Sequence, residues 1–526
     1  MHVFKKILIV FAVLNLIGFF VEVSLAEDFT KNIKKFDWNG LEVTWLQDER
    51  LPLYHILIYF ADGALSDGGA GEKSNAKAVT NAMFSLLDAG TRRFTQKEIS
   101  ENLEYFGVDY GANVTHEYST YSIAGPVKDI VPTMKQICHL FHEATFPEQE
   151  IKREVRQAQS TIESMINNHG ALASHIFREA SLQGSPYDYP VAGKLKDLKK
   201  LNTKALIAKL DYFNRNVKKK IYISGPERGL IIRGILNEEC GWKGTDAIFE
   251  RHMEYTPVLR EKPRVVFVSV PKANQAQIRI GRFLNKEEIK NAELLDLVSN
   301  FLGGGFTSLL MRAVRSKEGL TYSVSAFAAG QKEYGRSAIS TFTKNETMGA
   351  LIDVVRNTLD QVSKQEFNLA DFERMKGNLI GGHPFAFEKS SALLTQLAIL
   401  DHSGRPYSDL ANFPAIVQKF GPAETAKMGH AIFDWNRQTI LILGDETLKK
   451  AVKELGEFEN KSYKDFLWRM GCYGLGFFVG MEISIEDGTR FNYDIGGVNF
   501  AGNMGSMMDD NSPLSVNDAF KITKNL

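Results

Sequence analysis

One plan is written twice in this chain, at an offset of about 220 residues, and the repeat constrains the fold more than any single motif. Phe146-Pro147-Glu148-Gln149-Glu150 opens a charged helical stretch, and Phe367-Asn368-Leu369-Ala370-Asp371 opens another 221 positions later. Gly184-Ser185-Pro186-Tyr187 is echoed by Gly404-Arg405-Pro406-Tyr407. Asn214-Arg215 precedes the strand pattern Ile221–Gly225 as Asn436-Arg437 precedes Ile440–Gly444. Each copy reads strands first (Tyr54–Phe60 and Gln277–Ile280), then amphipathic helices, then a closing strand. The order predicts an α+β fold of two tandem homologous lobes, each a mainly antiparallel sheet packed with helices. The lobes are expected at 27–235 and 263–457, joined by a polar linker, 236–262, that holds Pro257. Residues 458–526 differ in character. Glycines among aromatics, then alternation at Met481–Ile485, read as a β-rich appendage whose role the sequence does not reveal.

Residues 1–26 read as a signal peptide: Lys5 and Lys6, an apolar run from Ile7 to Val21, and small residues at Ser24 and Ala26. That run is shorter than the roughly 20 residues a membrane span needs. An uncleaved N-terminal anchor is the competing reading, and Glu22 and the small-residue end speak against it. No later segment reads as a span, so the expected product is exported and periplasmic. Apolar residues make up 44% and charged residues 24%, which excludes disordered and fibrous classes. Lys plus Arg and Asp plus Glu balance at 63 each, so no net field draws nucleic acid. Cys138, Cys240 and Cys472 allow one bridge, and their spacing assigns none.

The segment Leu302-Gly303-Gly304-Gly305-Phe306-Thr307-Ser308, running on to Arg315-Ser316-Lys317-Glu318-Gly319-Leu320-Thr321-Tyr322, resembles the pitrilysin/insulinase family of zinc metallopeptidases. The resemblance covers roughly residues 36–457. It implies lobes that enclose a peptide chamber, with H-x-x-E-H on a lobe-one helix and a further Glu about 75 residues on. Two His at i and i+4 share a helical face and can grip one Zn²⁺, while the Glu takes a proton from bound water. In this chain the corresponding helix is Ala78–Leu87. Asn81 stands at the first His, Phe84 at the Glu and Ser85 at the second His, and Gln159 falls near the downstream Glu. Phe accepts no proton, and Asn and Ser are weak zinc ligands. No two of the eleven His are four apart, so neither H-x-x-E-H nor H-E-x-x-H occurs.

The remaining candidates are weaker. His139 and His142 stand three apart beside Glu143, but Pro132–Ala144 reads as an amphipathic helix with Ile137 and Phe141 inward and both His outward. Gly68–Ser74 lacks the full phosphate-loop spacing and reads as the turn before a helix. Thr115-His116-Glu117-Tyr118 reads as an exposed turn.

The resemblance also implies what is retained. Arg315 and Tyr322 match the family's Arg/Tyr pair, a guanidinium and a phenol able to hold a peptide carbonyl and a developing oxyanion. Gly303, Gly304 and Gly305 would let backbone approach the peptide. Lys317 and Glu318 read as solvated. The leading expectation is a non-catalytic subunit with no cofactor of its own, paired with a zinc-bearing homologue and acting on peptides. Two alternatives remain: a peptide-binding or envelope scaffold with no role in proteolysis, and an active metallopeptidase with relocated ligands that include His139 and His142.

Overall fold

The structure is a computed structural model that describes residues 32–68, 77–244, 255, 257, 260–317, 319–464, 490–495 and 498–503. The expected signal peptide, most of the Gly68–Ser74 loop, Glu318 and the alternation at Met481–Ile485 lie outside the described residues.

Lobe one carries strands β1 (Ile33–Trp38), β2 (Leu41–Gln47), β3 (Leu53–Phe60), β4 (Asp109–Val114), β5 (Ser119–Pro126) and β6 (Lys219–Gly225). They form one sheet in the order β1-β2-β6-β3-β5-β4, antiparallel except where β2 meets β6. β3 and β6 are nearly continuous apolar runs, so they take the middle of the sheet with both faces covered. The longer helices are α1 (Val79–Ser85), α2 (Gln96–Tyr105), α3 (Ile130–Glu143), α4 (Glu148–Met165), α5 (His169–Ser181), α6 (Thr203–Asn216) and α7 (Ile232–Glu238).

Lobe two repeats the plan. Its strands are β7 (Arg264–Ser269), β8 (Gln275–Gly281), β9 (Phe283–Asn285), β10 (Val324–Gly330), β11 (Tyr334–Lys344), β12 (Thr439–Gly444) and β13 (Glu457–Ser462). The sheet order is β10-β11-β8-β12-β7-β13, with β9 on β11 and parallel pairing only of β7 with β12 and β13. Its longer helices are α8 (Ala292–Gly303), α9 (Met348–Ser363), α10 (Leu369–Gly382), α11 (Ser390–Ser403), α12 (Ser408–Lys419) and α13 (Pro422–Phe433). β3 and β8, β6 and β12, α4 and α10, and α5 and α11 occupy matching places, at the offset read from the sequence.

Both lobe ends lie further along the chain than the polar composition suggested. Cys240 and Trp242 are buried in the lobe-one core, and Cys240 is disulfide-bonded to Cys138 on α3 with Cα atoms 4.7 Å apart. Lobe two runs on to Ser462, because β13 pairs with β7 along its whole length. Phe478–Leu526 form a separate unit, in which β14 (Arg490–Ile495) and β15 (Val498–Asn503) make an antiparallel hairpin.

The lobes exchange helices. α5 of lobe one packs on β8 and β12 of lobe two, and α11 of lobe two packs on β3 and β6 of lobe one. Leu172, Ile176 and Phe177 thus share a core with Val266, Val268, Leu441 and Leu443. In return Leu393, Leu394 and Leu397 bury against Leu57, Tyr59 and Tyr222. Polar groups seal both joints: Arg279 of β8 donates to Ser174 Oγ (3.1 Å) and to the Gly170 carbonyl (3.0 Å), and Tyr222 donates to Asp401 (2.7 Å). Leu397→Ala is expected to lower stability by about 2–5 kcal/mol. The variant should still unfold in urea in one transition, seen alike by Trp fluorescence and circular dichroism; two separated transitions would show lobes that fold independently.

Candidate functional site

α1 starts at Ala78, whose backbone is left-handed (φ +68), and runs beneath the sheet with Asn81 half-buried and Ser85 exposed. Phe84 turns the other way. It is only 4% exposed, with ring centroids 5.5 Å from Phe60, 5.3 Å from Phe213 and 6.5 Å from Phe141. The position that would hold a general base is therefore part of an aromatic core.

Across from α1 stands α4. Ser85 Oγ donates to Glu154 Oε1 at 3.0 Å. Gln159, expected to face this helix, is exposed and donates instead to Glu163 (2.8 Å). Glu154 is a carboxylate that α4 brings to α1, a contact between residues 69 positions apart that the sequence does not reveal. The same place in lobe two holds Thr307 against Met375 (3.0 Å), again a small hydroxyl residue on one segment meeting a residue of the long charged helix. An amide, a hydroxyl and one carboxylate beside an inward-packed Phe do not fit a zinc ion, which calls for His, Cys or several carboxylates.

His139 and His142 go to different neighbours. The His139 ring stacks 6.4 Å from Phe94, half-buried rather than outward, while His142 Nε2 is bonded to the Cys240 carbonyl. Among the described residues, no group of three His, Cys, Asp or Glu converges as a metal site.

In lobe two, Arg315 is exposed with its guanidinium 5.4 Å from the centre of the Phe306 ring, and Tyr322 is 77% exposed. Gly303 plays another part than the one expected. It is buried at the end of α8, where a Cβ would come within 2.0 Å of the Ala326 nitrogen on β10. Its lack of a side chain serves helix–strand packing. Gly304 and Gly305 form the half-buried turn that follows, with φ +153 at Gly305.

The turn at His116 and Glu117 is not exposed. It is the tip of the β4–β5 hairpin, and it meets the tip of the matching β10–β11 hairpin of lobe two. Glu117 accepts from His402 Nε2 (2.8 Å), Tyr187 (3.1 Å) and the backbone N–H groups of Lys332 (3.1 Å) and Glu333 (3.2 Å). Burial alone would raise the Glu117 carboxyl, but the His402 bond and the two N–H groups outweigh it and hold the carboxyl below its usual range. His116 bonds the Tyr189 carbonyl through Nε2 (2.9 Å) and Tyr334 through Nδ1 (3.3 Å). Four polar residues in a row look solvated in sequence, but Tyr187 and Tyr189 of lobe one and the hairpin tip of lobe two cover them.

Two family models match the chain: insulinase (peptidase family M16) over residues 67–193, and peptidase M16 inactive domain over 241–379. Between them they match just over half of it. The chain belongs to the insulinase family, M16. Among M16 relatives, an uncharacterised zinc protease of Bacillus subtilis is 20% identical over 63% of this chain and 80% of its own length. One from Rickettsia bellii is 20% identical over 61% and 77%. Among solved structures, the peptidase M16 inactive domain from Pseudomonas fluorescens superposes with a TM-score of 0.68 at 19% identity, covering 79% of this chain and 98% of that one. A protease from Helicobacter pylori superposes at 0.65 with 15% identity, covering 78% and 99%. The fold of these M16 structures is thus present along almost their whole length.

Two outcomes follow from this geometry. Phe84→Glu would bury a carboxylate among Phe60, Phe141 and Phe213, so a loss of at least about 3–5 kcal/mol is expected, read as a fallen urea midpoint, without gain of zinc. Burial pushes the His116 imidazole down to about 4, against the pull of its bond to the Tyr189 carbonyl. In the unfolded chain it returns to about 6.5. The folded state therefore favours the neutral ring: this stabilisation is full above about 6.5 and is lost as pH falls through about 4. His116→Asn should be less stable at pH 7 and should lose less stability than the wild type between pH 7 and 4.5; parallel losses would refute the assignment.

Proposed function

We propose that this chain is a non-catalytic subunit of a periplasmic zinc peptidase of the pitrilysin/insulinase type. It helps a zinc-bearing homologous partner to bind and cleave peptides through Arg315 and Tyr322. The observation that carries this reading is the contrast between the lobes. Phe84 is sealed into an aromatic core, whereas Arg315 and Tyr322 stand open to solvent. Zinc in the partner supplies the activated water. This chain supplies two kinds of donor: the N–H edge of the Arg315 guanidinium and the Tyr322 hydroxyl, both able to donate to a peptide carbonyl and more strongly to the oxyanion that develops on it.

The N-terminal leader and the buried Cys138–Cys240 disulfide both support export, since such bridges persist in oxidising compartments. Zinc per chain, by elemental analysis after metal stripping and reloading, is expected near zero; a value near one would overturn the reading. In the complex with the captured H-x-x-E-H partner, Arg315→Ala is expected to lower kcat/KM by about 10²–10³. Unchanged activity would favour a role outside proteolysis.

A further inference from the structure

Phe306 has no part in the core. It is 55% exposed, immediately after the turn at Gly305 (φ +153), and the residues that follow it are anchored: Thr307 on Met375, and Ser308, fully buried, with its backbone N–H on the Gly305 carbonyl (3.0 Å). The backbone thus presents the ring outward from a fixed base. Arg315 lies over that ring, in the geometry of a cation–π contact. A guanidinium carries five N–H donors, so one held near a ring can still donate to a carbonyl. Tyr322, further along the same stretch of chain, is 77% exposed. Exposed apolar residues scattered singly are ordinary, but an exposed Phe carrying an Arg, in one segment with an exposed Tyr, has the composition of a binding hot spot.

We infer that Phe306 forms the floor of a subsite for a large apolar side chain of an extended peptide, next to the carbonyl held by Arg315. The inference rests on the peptide-binding role proposed above and adds a preference to it. The ring plays two parts: its face gives apolar area to the incoming side chain, and its π cloud limits the orientations open to Arg315, so that carbonyl and side chain are gripped together.

The test uses the full mature chain and two fluorescein-labelled peptides of equal length and charge that differ at one central residue, Phe in one and Ser in the other. Affinities are read by fluorescence anisotropy. The wild type is expected to favour the Phe peptide by about tenfold. Phe306→Ala should bring the two affinities within about twofold of each other, and Phe306→Leu should restore part of the preference, since both variants alter an exposed ring and keep the fold. Arg315→Ala should weaken both peptides by about tenfold or more while the preference persists. A preference unchanged in Phe306→Ala would overturn the subsite and leave the peptide-binding role standing. A wild type that binds neither peptide would overturn both.

Discussion

α5 and α11 each leave the lobe whose chain makes them and pack on the sheet of the other, and most of the architecture depends on that exchange. Each helix buries its apolar face on the two central strands across the junction, β8 and β12 for α5, β3 and β6 for α11. Neither sheet has a complete cover without the helix of the other lobe, so the two copies form one cooperative body rather than two beads on a linker. Burial of Leu, Ile and Phe side chains at about 1.5–3 kcal/mol each makes this junction as strong as a lobe core. The exchange also brings the matching hairpin tips together, and with them Glu117, Lys332 and Glu333.

The duplication is symmetric in backbone but not in chemistry. His402 ends α11 and pairs with Glu117, whereas the matching end of α5 carries Ser181. Tyr187 and Tyr407, equivalent in sequence, donate to different carboxylates, Glu117 and Asp401. The two putting-together points of the lobes are therefore distinct, which removes the ambiguity that a perfect repeat would leave in its own assembly. Ser85 meets Glu154 in lobe one as Thr307 meets Met375 in lobe two, but Phe84 is buried whereas Phe306, the residue before Thr307, is exposed.

Much of this was legible before any coordinates. The repeat, the strand patterns at Tyr54–Phe60 and Ile440–Gly444, and the helices on either side of the Phe146 and Phe367 signals are local periodicities, and they appear where they were expected. Other features could not be read that way. The contact of Ser85 with Glu154 depends on how α4 lies against α1, which no local pattern gives. Gly303 read as a place where backbone could approach a peptide, yet it is buried where α8 presses on β10. The turn at Glu117 looked solvated because its cover comes from residues 70 to 285 positions away.

The sequence by itself determined the class of fold, the duplication and the absence of H-x-x-E-H, because side-chain periodicity and the identity of donor atoms are properties of the chain alone. It also marked Arg315 and Tyr322 as the residues worth watching. Only the tertiary structure decided that Cys138 pairs with Cys240, that Phe84 is sealed in an aromatic core, and that Phe306 carries Arg315 at the surface. Each of those facts is a meeting of residues or a choice of inside over outside. Such choices follow from sheet register and helix exchange, which no local pattern encodes.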